Sequence, residues 1–432
     1  MKYWIETYGC QMNKAESDAL ELELIGSGWK EAGIPENASI VIINTCSVRK
    51  TAEDRIWGRI GYFKKIKKDN PEQKLIITGC MAERLGDKLK EKKSPVDEVF
   101  GTFDKDKIAD FIGKKNIIKS YENGIYKFKK NHSGKDAFKS FIPIMNGCNN
   151  FCSYCIVPYV RGREISRDPA DIYKELDSLE KYNTKEITLL GQNVNSYTYI
   201  ENGRLIDFPD LISEISSRVK SIEWIRFLTS HPKDLSHKLI ETIASSENIC
   251  RHIHLPIQSG SDNILSLMNR RYNTKDYLKL VENIKNMIPG VSITTDIITG
   301  FPGESEDDFK MTCEMMEKVR FSDAFTYYYN PRVGTEAFNY PNEIEMEVKL
   351  DRLSRIIELQ KKISLELRKN KLGQTVKVLA EDYSKNSKNE LLGRTESDEM
   401  IVFAGKHDKI GKFNNVKIIS LKGNTFIGEL IE

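Results

Sequence analysis

The sequence lacks an apolar run that could cross a membrane, and its charges nearly cancel. A spanning helix needs about 18 or more apolar residues in succession, and no such run occurs. Lys2 and Glu6 interrupt the start of the chain, so Met1–Cys10 does not have the pattern of a signal peptide. The 66 basic and 63 acidic residues leave no large field of one sign, which permits a nucleic-acid partner without requiring one. We therefore expect a cytoplasmic protein with no membrane partner. A chain of 432 residues is long enough for two or three domains.

Histidine and a fourth cysteine are missing around the most informative motif. Cys148, Cys152 and Cys155 follow Gly147 with the spacing C-x₃-C-x₂-C. A structural zinc site takes four protein ligands, so three thiols alone argue against zinc. Three thiolates can instead hold three irons of a cubane [4Fe–4S] cluster and leave the fourth iron open. The alternative is three incidental cysteines on a loop.

The N-terminal part repeats a unit of strand, cysteine and helix three times. The predicted strands are Lys2–Tyr8, Ser39–Asn44 and Lys74–Thr78, and the predicted helices are Glu16–Ile25, Thr51–Lys65 and Met81–Lys92. Cys10, Cys46 and Cys80 follow the strands at intervals of 36 and 34 residues, a period that suits successive βα units and a parallel sheet. Because the carboxyl ends of parallel strands share one edge, these thiols are predicted to converge there. The alternative is that each is a buried core thiol.

The segment Phe111–Lys139 is rich in lysine and carries the aromatic residues Tyr121, Tyr126 and Phe128. Its composition predicts a solvated connection between domains, with contact to RNA as the alternative.

The central part predicts six βα-like units, the first of which carries the three-cysteine loop. The predicted strands are Phe141–Met145, Ile187–Leu190, Trp224–Leu228, His252–Leu255, Ile293–Ile298 and Phe325–Tyr329. Six units fit a partial (βα)₆ barrel better than a full barrel of eight. The loops after these strands are polar and rich in glycine, as a site at the strand ends requires.

The C-terminal part predicts a long helix over Met346–Lys371 and then a small β-barrel. The five predicted strands are Gln374–Ala380, Glu390–Thr395, Met400–Phe403, Asn415–Ser420 and Phe426–Ile431. Basic residues, among them Lys406 and Lys412, give the barrel a side that single-stranded RNA could use. The alternative is a barrel with only a structural or protein-binding role.

With these pieces in view, the sequence resembles the radical S-adenosylmethionine (SAM) methylthiotransferases over its whole length. The matching motifs are GCQMN at 9–13, NTCS at 44–47, GCNNFCSYCIVPYVRGREISR at 147–167, LLGQNVN at 189–195, TSHP at 229–232, HLPIQSGSD at 254–262 and GFPGE at 300–304. The resemblance implies an α/β multidomain protein. Its parts are an N-terminal methylthiotransferase domain with a parallel βα sheet at 1–115, a linker at 116–138, a radical SAM core at 139–368 and a TRAM domain at 371–432.

The resemblance also implies two [4Fe–4S] clusters and SAM as cofactors. Cys148, Cys152 and Cys155 would hold the first cluster, whose open iron chelates SAM, and Cys10, Cys46 and Cys80 would hold an auxiliary cluster that supplies sulfur. No catalytic residue is predicted beyond these cysteines. The predicted SAM contacts are Tyr154, Gln192, Asn193, Gly300, Gly303 and Glu304. The predicted RNA contacts are Arg161, Arg163, Lys406 and Lys412, although the two arginines are equally suited to shaping the active site.

The implied reaction is methylthiolation of carbon 2 of N6-dimethylallyladenosine next to the anticodon of tRNA. Its partners would be the tRNA anticodon loop, an electron donor such as flavodoxin or ferredoxin, and a source of sulfur, with the enzyme as a monomer. A sibling enzyme acting on threonylcarbamoyl-adenosine or a ribosomal-protein aspartate is one alternative. A non-enzymatic iron–sulfur protein that binds RNA or transfers electrons is another, but clusters in such proteins are generally held by four cysteines.

Overall fold

The computed structural model describes residues 1–47, 50–91, 94–113, 126–130, 138–385 and 387–431. Within them the chain forms a parallel sheet, an open arc of βα units and a small closed barrel, in that order. None of the helices in these ranges combines the length and the hydropathy that crossing a membrane requires.

The N-terminal unit is a five-stranded parallel sheet with helices on its faces. Its elements are β1 (Lys2–Thr7), α1 (Gln11–Gly26), β2 (Lys30–Glu31), β3 (Ile40–Thr45), α2 (Lys50–Asp69), β4 (Lys74–Gly79), α3 (Cys80–Leu85), β5 (Glu98–Phe100) and α4 (Ile108–Ile112). The strand order is β2-β1-β3-β4-β5. Every residue of β3 is buried, since apolar clusters cover both faces of the sheet. In a sheet of this order the strand sequence reverses between β1 and β3, and ligands bind in the crevice that opens there.

The three predicted βα units are confirmed, but the number of strands in the sheet and the end of one helix differ from the prediction. The strands β2 and β5 were not predicted, because two or three residues are too short to show a period. The predicted helix Met81–Lys92 is wrong from Gly86 to Glu91, because α3 ends at Leu85, and Lys92 lies outside the described residues. Gly86 takes a φ of +53°, and a 3₁₀ turn follows over Gly86–Lys90.

The predicted linker lies mostly outside the described residues, which leave out 114–125 and 131–137 and therefore Tyr121. Its described part, 126–130, packs against the N-terminal sheet domain. Tyr126 is 7% exposed, and its hydroxyl donates to Glu16 Oε1 at 3.0 Å. Lys129 pairs with Glu23 at 2.6 Å.

The central unit is an arc of six parallel strands, as predicted. Its elements are β6 (Lys139–Pro143), β7 (Met145–Asn146), α5 (Val157–Arg161), β8 (Ile165–Ser166), α6 (Pro169–Lys181), β9 (Glu186–Leu190), β10 (Thr198–Glu201), β11 (Arg204–Asp207), α7 (Phe208–Arg218), β12 (Trp224–Phe227), α8 (His237–Ser245), β13 (His252–His254), α9 (Asp262–Leu267), α10 (Thr274–Met287), β14 (Ser292–Thr299), α11 (Glu306–Val319), β15 (Asp323–Tyr328) and α12 (Met346–Lys369). The strands pair in the orders β6-β9-β12 and β13-β14-β15. A parallel bridge between Ile225 and Ile249 joins the two halves. Within the described ranges β6 and β15 do not pair, so the barrel stays open.

Alternate residues of the arc face in opposite directions. The outward set joins the main apolar core beneath the helices, with Ile142, Ile187, Ile225, Ile253 and Ile297 as examples. The residues between them point to the other side of the arc, where Glu186 pairs with Arg226 and His252 contacts Thr294. The hairpin of β10 and β11 was not predicted from the sequence.

The C-terminal unit is a closed barrel of five strands, which confirms the prediction. Its strands are β16 (Thr375–Ser384), β17 (Ser387–Thr395), β18 (Met400–Ala404), β19 (Phe413–Lys422) and β20 (Thr425–Leu430), closing in the order β16-β17-β18-β20-β19. This barrel packs on the amino-terminal ends of the core strands. The rings of Trp224 and Phe413 lie 4.7 Å apart, and Arg226 donates to the carbonyls of Thr395 and Glu396 at 2.8 and 2.7 Å.

Candidate active site

The loop that carries the first three cysteines joins β7 to α5 at the carboxyl side of the arc. Gly147 starts it with a φ of +84°, and a Cβ there would lie 2.1 Å from the carbonyl oxygen of Arg163. The amide of Gly147 donates to Gln192 Oε1 at 2.6 Å, and the amide of Cys148 donates to the carbonyl of Gly162 at 3.2 Å. Only glycine fits the first position, so the entry into the loop is fixed.

Two other segments hold the same loop from the opposite side. The amide of Ser153 donates to the carbonyl of Met268 at 3.1 Å, and Asn269 Nδ2 donates to the carbonyl of Phe151 at 2.9 Å. The amide of Ala337 donates to the carbonyl of Ser153 at 2.8 Å. The loop is thus fixed before any ligand binds.

The three thiols of this loop lie in a desolvated environment. Burial, together with smaller contributions from neighbouring sulfurs, raises the pKa of Cys148 to about 11 and that of Cys155 to about 12. Cys152 is 8% exposed, and Arg270 Nη1 donates to its sulfur at 3.3 Å. Such thiols lose their protons when a metal binds.

No group of three or more His, Cys, Asp or Glu side chains in the described residues is placed to hold a single metal ion. A cubane cluster meets one thiolate at each iron, so it needs sulfurs that are spread around it. Three thiols on a pre-formed loop match the three protein ligands of a cubane cluster that keeps one iron open.

The second set of thiols lies at the carboxyl edge of the N-terminal sheet. Cys10 precedes α1, Cys46 follows β3 and Cys80 opens α3. A Cβ on Gly9 would lie 2.7 Å from the Cβ of Cys46, so the first two loops touch. Asn13 Nδ2 also ties them together, because it donates to the carbonyls of Tyr8 and Thr45, both at 2.9 Å. The structure therefore brings these cysteines to one edge, at the crevice between β1 and β3.

The two thiol sets lie on the two sides of the interface between the N-terminal domain and the core. Cys80 packs in one small cluster with Ile156, which directly follows Cys155, and with Val160 of α5. Arg161 is the last residue of α5, the short helix that contains Val160, and its side chain reaches the N-terminal domain. Its Nη1 donates to Glu16 Oε1 at 2.9 Å.

Arg161 also bonds to Asn13 Oδ1 at 2.9 Å and to Asn146 Oδ1 at 3.0 Å. It is 2% exposed. Burial would raise the pKa of Glu16, but Arg161 and Lys105 lower it to about 2. This burial does not fit the predicted RNA contact by Arg161 and favours the alternative, in which it shapes the site.

The other predicted RNA contacts are exposed. The guanidinium of Arg163 lies 4.2 Å from the ring centre of Phe151, next to the first cysteine loop. Lys406 and Lys412 lie on the C-terminal barrel, which packs on the opposite end of the core strands.

Among the predicted SAM contacts, Gln192 and Asn193 make hydrogen bonds to other residues of the protein. Gln192 accepts the hydrogen bond from Gly147 described above. Asn193 is buried, and its Nδ2 donates to Asp234 Oδ2 at 2.7 Å. Tyr154 is half-buried and meets Phe301 edge to face, with ring centres 6.5 Å apart. This pair forms an apolar wall beside the thiols.

The loop from Gly300 to Glu304 is a compact turn after β14. Gly300 has a φ of +66°, and its amide donates to Glu304 Oε2 at 2.7 Å. Arg352 Nη1 donates to the same oxygen at 2.7 Å. Burial raises the pKa of Glu304 to about 7 against the effect of Arg352. Gly303 has a φ of +81° and donates to the carbonyl of Asn342 at 3.0 Å. Glu304 thus builds the turn.

Sequence reasoning missed Arg270, Glu16 and Asn13. Asn13 stands within the GCQMN motif, and Arg270 follows the HLPIQSGSD motif by a few residues. The only sequence signal for these three residues was their position in or near a motif. Each acts through a partner that is distant in the sequence, so no local pattern marks its role.

Comparison with known proteins agrees with this geometry. The Radical SAM superfamily matches residues 142–316, the "Uncharacterized protein family UPF0004" matches residues 2–101 and the TRAM domain matches residues 369–431. A solved radical S-adenosylmethionine methyltransferase, TsrM from Kitasatospora setae, matches with a TM-score of 0.57 and 13% identity over 75% of this chain and 72% of that one, which shows the fold alone. The open barrel and the three-thiol loop thus define a radical SAM enzyme, whose class implies a [4Fe–4S] cluster and SAM.

Similarity over the full length identifies the family. The chain is 46% identical to the tRNA-2-methylthio-N(6)-dimethylallyladenosine synthase of Treponema denticola over 452 residues, covering 100% of both chains. It is 44% identical to the enzyme of the same name from Treponema pallidum (100% and 99% covered) and 42% identical to that from Alkaliphilus oremlandii (100% and 93% covered). The chain belongs to the tRNA-2-methylthio-N(6)-dimethylallyladenosine synthase family.

Proposed function

We propose that this enzyme methylthiolates carbon 2 of N6-dimethylallyladenosine next to the anticodon of tRNA, in the cytoplasm. One observation carries the proposal: two sets of three thiols lie on the two sides of an interface that Arg161 bridges. A radical SAM enzyme that only abstracts hydrogen needs one such set. The second set favours a reaction that also delivers sulfur, and the names of the relatives favour the substrate.

Cys148, Cys152 and Cys155 hold the first [4Fe–4S] cluster in this proposal. With SAM bound at the open iron, this cofactor pair supplies a 5′-deoxyadenosyl radical, which is needed because the target C–H bond has no acidic proton. The protein's part is positioning. Gly147 and Gln192 fix the loop, and the Tyr154–Phe301 wall excludes water beside it. The turn from Gly300 through Gly303 to Glu304 and the segment at Asn193 supply the strand-end loops expected to border SAM.

Cys10, Cys46 and Cys80 hold a second [4Fe–4S] cluster on the sulfur-delivery side. Cys46 and Cys80 are each 4% exposed, whereas Cys10 is exposed. This leaves one side of the set open to an incoming base or sulfur species. The source of sulfur and an electron donor of the flavodoxin or ferredoxin type act from outside the chain, and the enzyme acts as a monomer.

The base to be modified lies in the anticodon loop, where it is unpaired and can be turned out of the stack. Arg163 is exposed beside the first cysteine loop and suits a phosphate near the reacting base. Lys406 and Lys412 suit a second stretch of RNA on the C-terminal barrel. Phosphate contacts of this kind give affinity without sequence selection.

The test is anaerobic reconstitution with iron and sulfide, followed by incubation with SAM, a reductant and prenylated tRNA. We expect 2-methylthio-N6-dimethylallyladenosine in the nucleoside mass spectrum. SAM cleavage without this product on prenylated tRNA would redirect the assignment to a sibling substrate. Absence of SAM cleavage would refute the radical mechanism.

Two cysteine variants separate the roles of the two sets. Cys152→Ala should abolish SAM cleavage, and Cys46→Ala should retain cleavage but lose thiolation and about half of the iron, since one of two clusters is lost. Cys313→Ala is the matched control, because this half-buried thiol belongs to neither set and should leave iron content unchanged. Unchanged iron in Cys46→Ala would contradict the second cluster.

A further inference from the structure

Arg270 is a buried cation that lies against one of the first-set thiols. It is 8% exposed, and its Nη2 donates to the carbonyl of Pro256 at 2.8 Å. Its Nε donates to the hydroxyl of Tyr272 at 3.0 Å, and its Nη1 donates to Cys152 Sγ at 3.3 Å. Its polar contacts are therefore neutral oxygens and one sulfur.

Arg270 differs in this respect from every other buried arginine that the structure describes. The six others each have a carboxylate within ion-pair distance: Arg161 with Glu16, Arg167 with Glu175, Arg226 with Glu186, Arg332 with Glu53, Arg352 with Glu304 and Arg368 with Asp323. For Arg270 no such pair occurs among the described residues. A buried charge without a partner is costly, so an anion is needed at this point.

The position of the guanidinium is fixed relative to Cys152. Arg270 directly follows Met268 and Asn269, whose hydrogen bonds hold Ser153 and Phe151 on either side of the thiol. The amide of Arg270 itself donates to the carbonyl of Leu265 at 2.8 Å. Because hydrogen bonds anchor both segments, and Tyr272 and Pro256 hold the other guanidinium nitrogens, the Arg270 side chain has one fixed orientation toward Cys152.

We infer that Arg270 is the counter-ion of the first cluster and raises its reduction potential through a hydrogen bond to the Cys152 thiolate. Hydrogen bonds to cluster sulfurs and nearby charge are among the factors that set such potentials. The one electron from the external donor makes the cluster more negative, so a cation at 3.3 Å from a ligand sulfur stabilises the reduced state more than the oxidised state. Arg270 is thus a positioning residue that acts through Cys152. The inference rests on the proposed assignment of Cys148, Cys152 and Cys155 as cluster ligands.

The test measures the midpoint potential of the first cluster alone. The parent protein is the full chain with Cys10, Cys46 and Cys80 changed to alanine, reconstituted anaerobically and titrated with a reductant while the EPR signal of the reduced cluster is recorded. Added to this parent, Arg270→Gln should shift the midpoint to a more negative value by about 59 mV, which is a tenfold change in a one-electron equilibrium. Arg270→Lys, which keeps the charge but not the planar fork, should shift it by less.

Arg226→Gln is the matched control. Arg226 is 6% exposed in the same domain, but it pairs with Glu186 and with the C-terminal barrel, so the midpoint should stay at the parent value. In the enzyme with all cysteines, Arg270→Gln should lower kcat for SAM cleavage and leave KM for tRNA unchanged.

The outcomes separate the inference from the proposed function. A parent that holds no iron would contradict the cluster assignment itself. A loaded Arg270→Gln variant with the parent's midpoint would overturn the inference and leave the proposed function intact. If Arg270→Gln binds no iron, iron binding by Arg270→Lys supports the counter-ion role. If neither variant binds iron, the counter-ion role is overturned in favour of a packing role.

Discussion

Glu16→Gln removes one charge from the bridge between the N-terminal domain and the core. The substitution keeps the shape of the side chain, which is 6% exposed and pairs with Arg161 and Lys105. Gln resembles the protonated form of Glu16. The buried Arg161 and the half-buried Lys105 then lose their carboxylate, and the interface between the two cysteine sets loses this ion pair.

The magnitude follows from the pKa of Glu16. Its arginine and lysine partners, acting against burial, lower this pKa from 4.5 to about 2. At about 1.4 kcal/mol for each pKa unit, the charged form of Glu16 contributes about 3 kcal/mol to stability at neutral pH. Loss of one partner from a buried ion pair costs about 3–5 kcal/mol in general, which agrees. This contribution is present above pH 4.5 and is lost as the pH falls toward 2.

The assay is urea unfolding of the cluster-free protein, followed by tryptophan fluorescence. Three of the four tryptophans, Trp4, Trp29 and Trp57, lie in the N-terminal domain and report on it. We expect Glu16→Gln to lower the free energy of unfolding by about 3 kcal/mol at pH 7 and by progressively less on acidification.

Glu175→Gln provides the comparison, since it breaks a buried pair with Arg167 inside the core alone. It should leave the N-terminal transition in place. A Glu16→Gln protein that unfolds like the parent at pH 7, or whose loss of stability does not change with pH, would refute the argument.

Two further predictions concern the first loop and the RNA. Gly147→Ala places a Cβ 2.1 Å from the carbonyl oxygen of Arg163, so we expect the loop to shift and the first cluster to be lost. The variant should then hold about half of the iron and keep a normal far-ultraviolet circular dichroism spectrum. Full iron content would contradict this expectation. Lys406→Ala combined with Lys412→Ala should weaken tRNA binding and flatten its dependence on salt, by about two phosphate contacts in the slope, while SAM cleavage stays unchanged. A salt slope equal to that of the parent would show that these lysines do not face the RNA.

The sequence predicted the framework of the fold because its signals are local. All six core strands and all five C-terminal strands lie within a few residues of their predicted places. Apolar runs such as Ile187–Leu190 end at polar loops that contain glycine, and this change of composition marks the strand end. Short elements escaped prediction, since β5 has only three residues and is defined by pairing with β4.

The contacts between domains could not be predicted, because they depend on residues far apart in the chain. The motif left open whether Arg161 contacts RNA or shapes the site, and its burial against Asn13 and Glu16, more than a hundred residues earlier, has no signal in the sequence. Arg270 carries no motif of its own, and its contact with Cys152 spans 118 residues. Charge alone does not reveal which arginine is solvated and which one is enclosed.

The two thiol sets differ in how much of the chain must fold before their cysteines come together. Cys148, Cys152 and Cys155 lie within eight residues of sequence, so little of the chain must be ordered to bring them near one another, although Gln192, Met268 and Ala337 are needed to hold the loop in its final shape. Cys10 and Cys80 are 70 positions apart and meet only after β1, β3 and β4 have paired. Closure of the longer loop costs more chain entropy and takes more time. During refolding, the first set therefore needs less of the chain to be ordered than the second set, which requires the N-terminal sheet. We expect maturation to be ordered, with the iron content of a preparation recording how much of its N-terminal domain has folded.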